Sequence, residues 1–329
     1  MAPAPLSTAV LIGAVFAALE HAETIGGRLG EPLGTVVLTL AVTIIEVAIV
    51  TSMMLHGENN PTLAREAVFS VVMIVCTGLV GTCLLTGALR FHEQELQPQG
   101  TSAFLAVLIA LSVLTLVLPS FTVTTHEGTL SPAQLGFLSL VSVLLYGSFL
   151  FIQTIRHRID FAEVSIDQTS HQAAPSSKQA IFALMWLFLS LLGVVLLAKR
   201  VAGGIEDALS GAGLAQTDAV IGAVIALLVL LPESLSAIRA AMRNALQTSL
   251  NGALGSALAT IGLTVPGVAV VSLVTGKELR LGLDARDTVL LVLTLVLSIV
   301  SFGTGRTNML TGLVHLVVFG TYVLLLIVP

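Results

Sequence analysis

The sequence predicts an all-α polytopic membrane protein, with about ten transmembrane helices in two inverted five-helix repeats. Three observations carry this. Of 329 residues, 55% are apolar and only 10% charged, against about 25% charged in soluble domains. The apolar residues fall into long runs, whereas a β-barrel would show short alternating segments. One polar stretch, Arg156 to Lys178, divides ten such runs five and five. An odd number of spans per half makes two similar halves lie inverted in the bilayer, a common plan of secondary transporters.

The runs follow in order. The first covers Leu6 to Leu19 and ends in the charged stretch EHAETIGGRLGE, read as a loop. The start, MAPAPLSTAV, lacks a positive n-region, so this run reads as a retained span and not a signal peptide. The second, Pro32 to His56, is long enough for a bilayer core of about 30 Å. The third runs from Glu66 to Leu89, the fourth from Ser102 to Ser120 and the fifth from Gln134 to Thr154. The stretch from Arg156 to Lys178 is rich in Asp, Ser, Gln and His and reads as a solvated loop. The sixth span covers Gln179 to Ala198 and is followed by a glycine-rich turn. The seventh is Asp218 to Ala241 and the eighth Thr248 to Thr275, interrupted by Pro266. The ninth is Asp287 to Phe302 and the tenth Asn308 to Val328. This gives a first transmembrane repeat over 1–155, a cytosolic polar loop over 156–178 and a second repeat over 179–329.

Charge sets the orientation. Eight of the 14 Lys and Arg residues fall on the odd-numbered connections and six on the even ones. The positive-inside tendency then places the odd connections in the cytosol, with both termini outside. The net charge of −5 is spread over short loops without a basic patch, which argues against a nucleic-acid partner. Cys76 and Cys83 lie two helical turns apart in one span, too far for a disulfide with each other.

The second and seventh spans carry the chemistry. Glu46 stands past the middle of PLGTVVLTLAVTIIEVAIVTSMMLH, with Thr35, Thr39 and Thr43 at four-residue steps before it. On a helix these share one face. Glu233 stands deep in VIGAVIALLVLLPESLSAIRAAM, after Pro232 and before Ser234 and Ser236. A charge at the bilayer centre costs at least about 2.5 kcal/mol, so an intramembrane carboxylate marks a functional site. The third span of each half is rich in small and hydroxyl residues: Ser70, Thr77, Gly78 and Gly81 in the first, Asn251, Gly252, Gly255, Ser256 and Thr260 in the second. Two facing carboxylates are tolerable in an apolar bundle when loaded with a cation or with protons, and costly when bare. That is the logic of a proton-coupled antiporter. Ca²⁺ takes about six to eight oxygen ligands, which glutamates, hydroxyls such as Thr43, the amide of Asn251 and carbonyls freed near Pro232 can supply. No His/Cys cluster suits a soft transition metal.

The runs HAETIGGRLGEPLGTVVLTLAVTIIEVAIV, LLPESLSAIRAAMRNALQTSLNGALGSALATIGLTVP and TGRTNMLTGLVHLVVFGTY resemble the bacterial calcium/proton antiporters of the ChaA type, in the cation/Ca²⁺ exchanger superfamily. The resemblance spans nearly the whole chain. It implies inverted repeats whose second and third spans line the ion site, with Glu46 and Glu233 as the exchanging carboxylates. Asn251 and Ser256 fall in the matching second-repeat segment. The first-repeat segment departs from the superfamily pattern: where an Asn is usual, only hydroxyls such as Thr77 and Ser70 stand. Members of this type are also associated with Na⁺ or K⁺ in exchange for protons.

The expectation is thus a secondary antiporter of the bacterial cytoplasmic (inner) membrane. It exchanges Ca²⁺, or alternatively Na⁺ or K⁺, for protons by alternating access. Its partners are membrane lipid and the transported ions, and no cofactor is implied. A passive cation channel is the runner-up, but a pore ring usually needs several subunits. An intramembrane enzyme is disfavoured, since neither HExxH nor GxSxG occurs. Glu20, His21, Glu23 and Glu31 read as a charged mouth after the first span, and Glu58, Glu66, Glu93 and Glu95 as loop acids. Asp160, Glu163 and Asp167 lack an EF-hand pattern, His157 and His171 read as solvated, and His315 reads as a buried neutral histidine bonded to a neighbour.

Overall fold

The computed structural model describes residues 4–29, 33–54, 60–161, 175–210 and 217–328. Among them are ten long helices: α1 (Ala4–Leu29), α2 (Leu33–Met54), α3 (Leu63–Phe91), α4 (Pro98–Phe121), α5 (Pro132–Arg156), α6 (Ser177–Ser210), α7 (Thr217–Ala241), α8 (Leu246–Thr275), α9 (Ala285–Phe302) and α10 (Met309–Ile327). Nine are long and apolar enough to cross a membrane. The tenth, α2, has 22 residues, with an apolar stretch described over Thr39–Ser52. Helices are the expected answer to these runs, because a lipid core offers no partner for an unpaired backbone group. Outward-facing Phe182, Met185, Phe188 and Leu189 give α6 the apolar exterior such a solvent demands.

Local signals set several helix ends. Ser131 and Gln134 form a reciprocal capping box at the start of α5, with Pro132 in the first turn. Asn308 caps α10 by accepting from the Thr311 amide. Gly276, at φ +68°, closes α8 in the left-handed conformation.

Two helices run longer than the sequence predicts. α1 does not end near Leu19 but continues to Leu29, because Ala18, Ala22 and Ile25 keep one buried face at helical spacing. Glu20, His21 and Glu23 therefore ride on a helix and not in a loop. α6 likewise passes the expected glycine-rich turn and reaches Ser210, and Ala183, Leu187, Val194 and Val201 form its buried stripe. Glu66, read as a loop acid, lies in the first turn of α3 and is buried against Arg65. Glu31, Glu58, Glu163, Asp167 and His171 lie outside the described residues.

The connections sort onto two faces. Those after α1, α3, α5, α7 and α9 form the odd face. There Gln94–Glu95 pairs antiparallel with Arg306–Thr307. Gln94 Nε2 donates to the Ala241 carbonyl, and the Gln97 amide donates to Gln247 Oε1. The other connections form the even face. There the Arg280 amide donates to the Pro61 carbonyl, Leu281 to Gly128, and Thr62 Oγ1 to Asp218 Oδ2 at 2.7 Å. Each of these bonds joins connections of the same parity, so successive helices alternate in direction and α1 to α5 run opposite to α6 to α10. Both described chain ends lie on the even face.

α3 and α8 are the central helices: 89% and 67% of their apolar windows are buried, against 44% or less in the other seven. Both widen into a π-helical turn midway, over Ile74–Leu79 and Thr260–Thr264. In α8 the cause is Pro266, which has no N–H to give the preceding turn. In α3 the Cys76 carbonyl inside the widened turn is taken by His315 Nδ1 at 2.7 Å. A carbonyl only accepts, so Nδ1 carries the proton, and Nε2 meets Ser301 Oγ at 2.9 Å. His315 is thus the buried, bonded histidine the sequence suggests.

Candidate cation site

Glu46 and Glu233 occupy corresponding places in the two halves. Each stands eight residues before the last residue of its helix, on α2 and α7. Because the halves are inverted, Glu46 lies nearer the even face and Glu233 nearer the odd face. Each lies within electrostatic reach of the other.

Their surroundings differ. Glu46 is 4% exposed. Its Oε1 accepts from Thr260 Oγ1 at 2.7 Å and its Oε2 from Thr264 Oγ1 at 2.5 Å. These threonines bracket the π-helical turn of α8 and sit four residues apart, so one helix face presents both hydroxyls. The rest of the wall is apolar: Val50, Ala67, Val68, Val71, Ile225 and Val229. The space left is about 10 Å³, at most the room for one water.

Glu233 faces a cavity of about 180 Å³, room enough for several waters. Thr39, Tyr146, Gln153, Asn251 and Ser256 line it with Glu233. Glu233 Oε2 and Ser256 Oγ are buried and have no hydrogen-bond partner among the described residues. Each lining helix contributes its odd-face half. The cavity therefore belongs to the odd side, and Glu46 does not line it.

The other sequence-predicted residues distribute unevenly. Asn251 borders the cavity, but its Nδ2 donates to the Phe161 carbonyl at 2.6 Å and its Oδ1 accepts from Gln247. Thr43 is buried on α2 one turn before Glu46, with its hydroxyl unpartnered among the described residues. Thr77 is fully buried, and its hydroxyl turns back to the Met73 carbonyl of its own helix. Two donors to Glu46 gave a weaker sequence signal. Thr260 stands out only as one of the small and hydroxyl residues of α8, and Thr264 only through the Thr-x-x-x-Thr spacing before Pro266.

A ten-helix membrane bundle with a carboxylate inside each half and a polar cavity between its helices is the architecture of a secondary cation transporter. A family model described as sodium/calcium exchanger protein matches residues 5–155 and 182–328. The chain belongs to this sodium/calcium exchanger family, and it is a multi-pass membrane cation antiporter. It is 45% identical over 328 residues to the putative ionic transporter y4hA of Sinorhizobium fredii, covering 98% of this chain and 88% of that one. It is 36% identical to the sodium-potassium/proton antiporter ChaA of Escherichia coli, covering 95% and 86%. The fold matches native YfkE at a TM-score of 0.75 with 17% identity, over 99% of this chain and 92% of that one. It also matches the H⁺/Ca²⁺ exchanger CAX at 0.72 with 15% identity, over 98% and 82%.

Proposed function

We propose that this protein exchanges Ca²⁺ for protons across the bacterial cytoplasmic membrane, with Glu46 and Glu233 as the carboxylates that carry the cation and the protons by turns. The observation that supports it best is the matched pair of intramembrane glutamates, each opposed to hydroxyls of α8. Two carboxylates balance one divalent cation or two protons, so the loaded site keeps the same net charge in both halves of the cycle. Either load removes the cost of two bare anions in an apolar bundle. Thr43, Thr77, Asn251 and Ser256 supply further oxygens in this reading, directly or through water.

The repeats of 1–155 and 179–329 then move against each other around the site, with 156–178 as a cytosolic connection. The roomy cavity at Glu233 on the odd side and the tight, apolar-walled pocket at Glu46 support a conformation with access from the odd, cytosolic face. A second reading, Na⁺ or K⁺ in exchange for protons, is favoured by the sodium-potassium/proton antiporter among its relatives. It is favoured also by the single carboxylate in the roomy cavity.

The test is proton flux in proteoliposomes, with Ca²⁺, Na⁺ and K⁺ offered separately against a preset pH gradient. Collapse of the gradient by Ca²⁺ at lower concentration than by Na⁺ or K⁺ is expected. Collapse by Na⁺ or K⁺ alone moves the assignment to the second reading. Glu46→Gln and Glu233→Gln should each abolish exchange while the protein still inserts and purifies. Normal flux in either variant removes that glutamate from the mechanism.

A further inference from the structure

The cavity at Glu233 contains a polar side chain from outside the two helix pairs that carry the glutamates and the hydroxyl rows. Gln153 belongs to α5 and sits in that helix's final π-helical turn, Ile152–Arg156. The other neutral polar groups of the wall are partly committed. Thr39 shares a hydrogen bond with Tyr146, and both ends of the Asn251 amide are engaged by Gln247 and Phe161. The amide of half-buried Gln153 has no hydrogen-bond partner among the described residues. Glu233 Oε2 and Ser256 Oγ on the same cavity are both buried and without partners among the described residues. A buried polar atom left unpaired costs about as much as a lost hydrogen bond. Two such buried groups, with the unpaired amide of Gln153 on the same wall, mark a cavity built to take a polar ligand.

We infer that Gln153 is a further cation ligand and specificity-determining residue, its Oε1 coordinating the hydrated cation that Glu233 holds from the odd face. This rests on the reading of Glu233 as an exchanging carboxylate. The chemistry follows from the donor types. One carboxylate with neutral amide and hydroxyl oxygens gives a cavity of single negative charge. It receives a monovalent cation without residual charge and leaves a divalent cation one charge short until Glu46 is reached. Gln153 thereby holds the charge of the first binding position at one and limits its preference for divalent cations.

The test uses the full chain in proteoliposomes, with initial exchange rates measured against Ca²⁺, Na⁺ and K⁺ concentration. Gln153→Met keeps the side-chain length and removes the carbonyl oxygen. It should raise KM for the transported cation about fivefold, the scale of one lost polar contact, with little change in kcat. Gln153→Glu adds a second carboxylate and should shift the ratio of kcat/KM toward Ca²⁺ over Na⁺ and K⁺ by about tenfold. Gln153→Asn, one methylene shorter, should fall between wild type and the Met variant. Unchanged KM in the Met variant together with an unchanged ion ratio in the Glu variant overturns the inference. Glu233→Gln, run in parallel, separates the two claims. If it is inactive while the Gln153 variants behave as wild type, only the Gln153 assignment fails. If it transports normally, the reading of Glu233 fails, and with it the ground for placing a cation beside Gln153.

Discussion

Glu46 shows what a single side chain needs in this bundle. Both of its oxygens accept hydroxyl donors from α8, and nothing else polar among the described residues lines its pocket. A hydrogen bond to a charged group contributes about 1.5–3 kcal/mol, so each threonine is a large share of what makes the empty site tolerable. Thr264→Val preserves shape and deletes one donor. It is expected to slow cation-dependent proton flux about tenfold at equal protein content, whereas Thr264→Ser keeps the hydroxyl and most of the rate. Equal rates for the Val variant and wild type would detach Thr264 from the exchange step. The glutamates themselves were legible in the sequence, because a carboxylate inside an apolar run has no ordinary explanation. Thr264 and Gln153 were not. A threonine in a membrane helix usually bonds to its own backbone, as Thr77 does, and a glutamine near a span's end resembles an interfacial residue. Their places beside the glutamates follow only from the packing, which sets Thr264 against Glu46 of α2 and Gln153 on the wall of the Glu233 cavity.

At the scale of helices, the sequence resolved number, order and direction, because each follows from apolar length and the parity of the connections. It misjudged where α1 and α6 stop. Glu20, His21 and Glu23 look like loop composition, and the continuing stripe of Ala18, Ala22 and Ile25 is readable only once its packing partner is known. The contact between α3 and α7 was equally hidden. Gly222 on α7 lies so close to α3 that an added Cβ would come within 2.7 Å of the Glu66 carbonyl carbon and 2.8 Å of the Ala67 amide nitrogen. Those are backbone atoms and cannot swing aside, so any side chain at 222 pushes α7 away from α3. Beside this contact Glu66 is paired with Arg65, whose other nitrogen donates to the Gly282 carbonyl. Displacing α7 therefore also uncovers the Glu66 side of this buried ion pair. Gly222→Val is expected to cost about 1–3 kcal/mol by overpacking, read as a lower melting temperature of the purified protein in detergent, with Gly222→Ala intermediate. A Val variant as stable as wild type would show that α7 does not need this approach.

Across the whole molecule, the asymmetry between the glutamates is the main consequence of the fold. Inversion gives Glu46 and Glu233 the same place in their own helices but opposite depths, and the cavity at Glu233 is roomy, about 180 Å³, where the pocket at Glu46 is tight, about 10 Å³. Val68, Val71, Ile225 and Val229 pack tightly around the Glu46 pocket, and Thr62 is tied to Asp218 on the even face. Walls of the roomy cavity and of the tight pocket should therefore differ in access to water from a single face. Ser256→Cys lines the cavity and Ala226→Cys lines the tight pocket, while the native Cys76 and Cys83 are fully buried and give little background. His157→Cys, at an exposed position on the odd face, reports which side of the membrane that face occupies. A membrane-impermeant thiol reagent is expected to label Ser256→Cys from the same side as His157→Cys and to spare Ala226→Cys from both. Labelling of Ala226→Cys from the opposite side, with Ser256→Cys protected, would mean that the resting protein opens at the even face. The roles of the two glutamates in receiving and releasing the cation would then be exchanged.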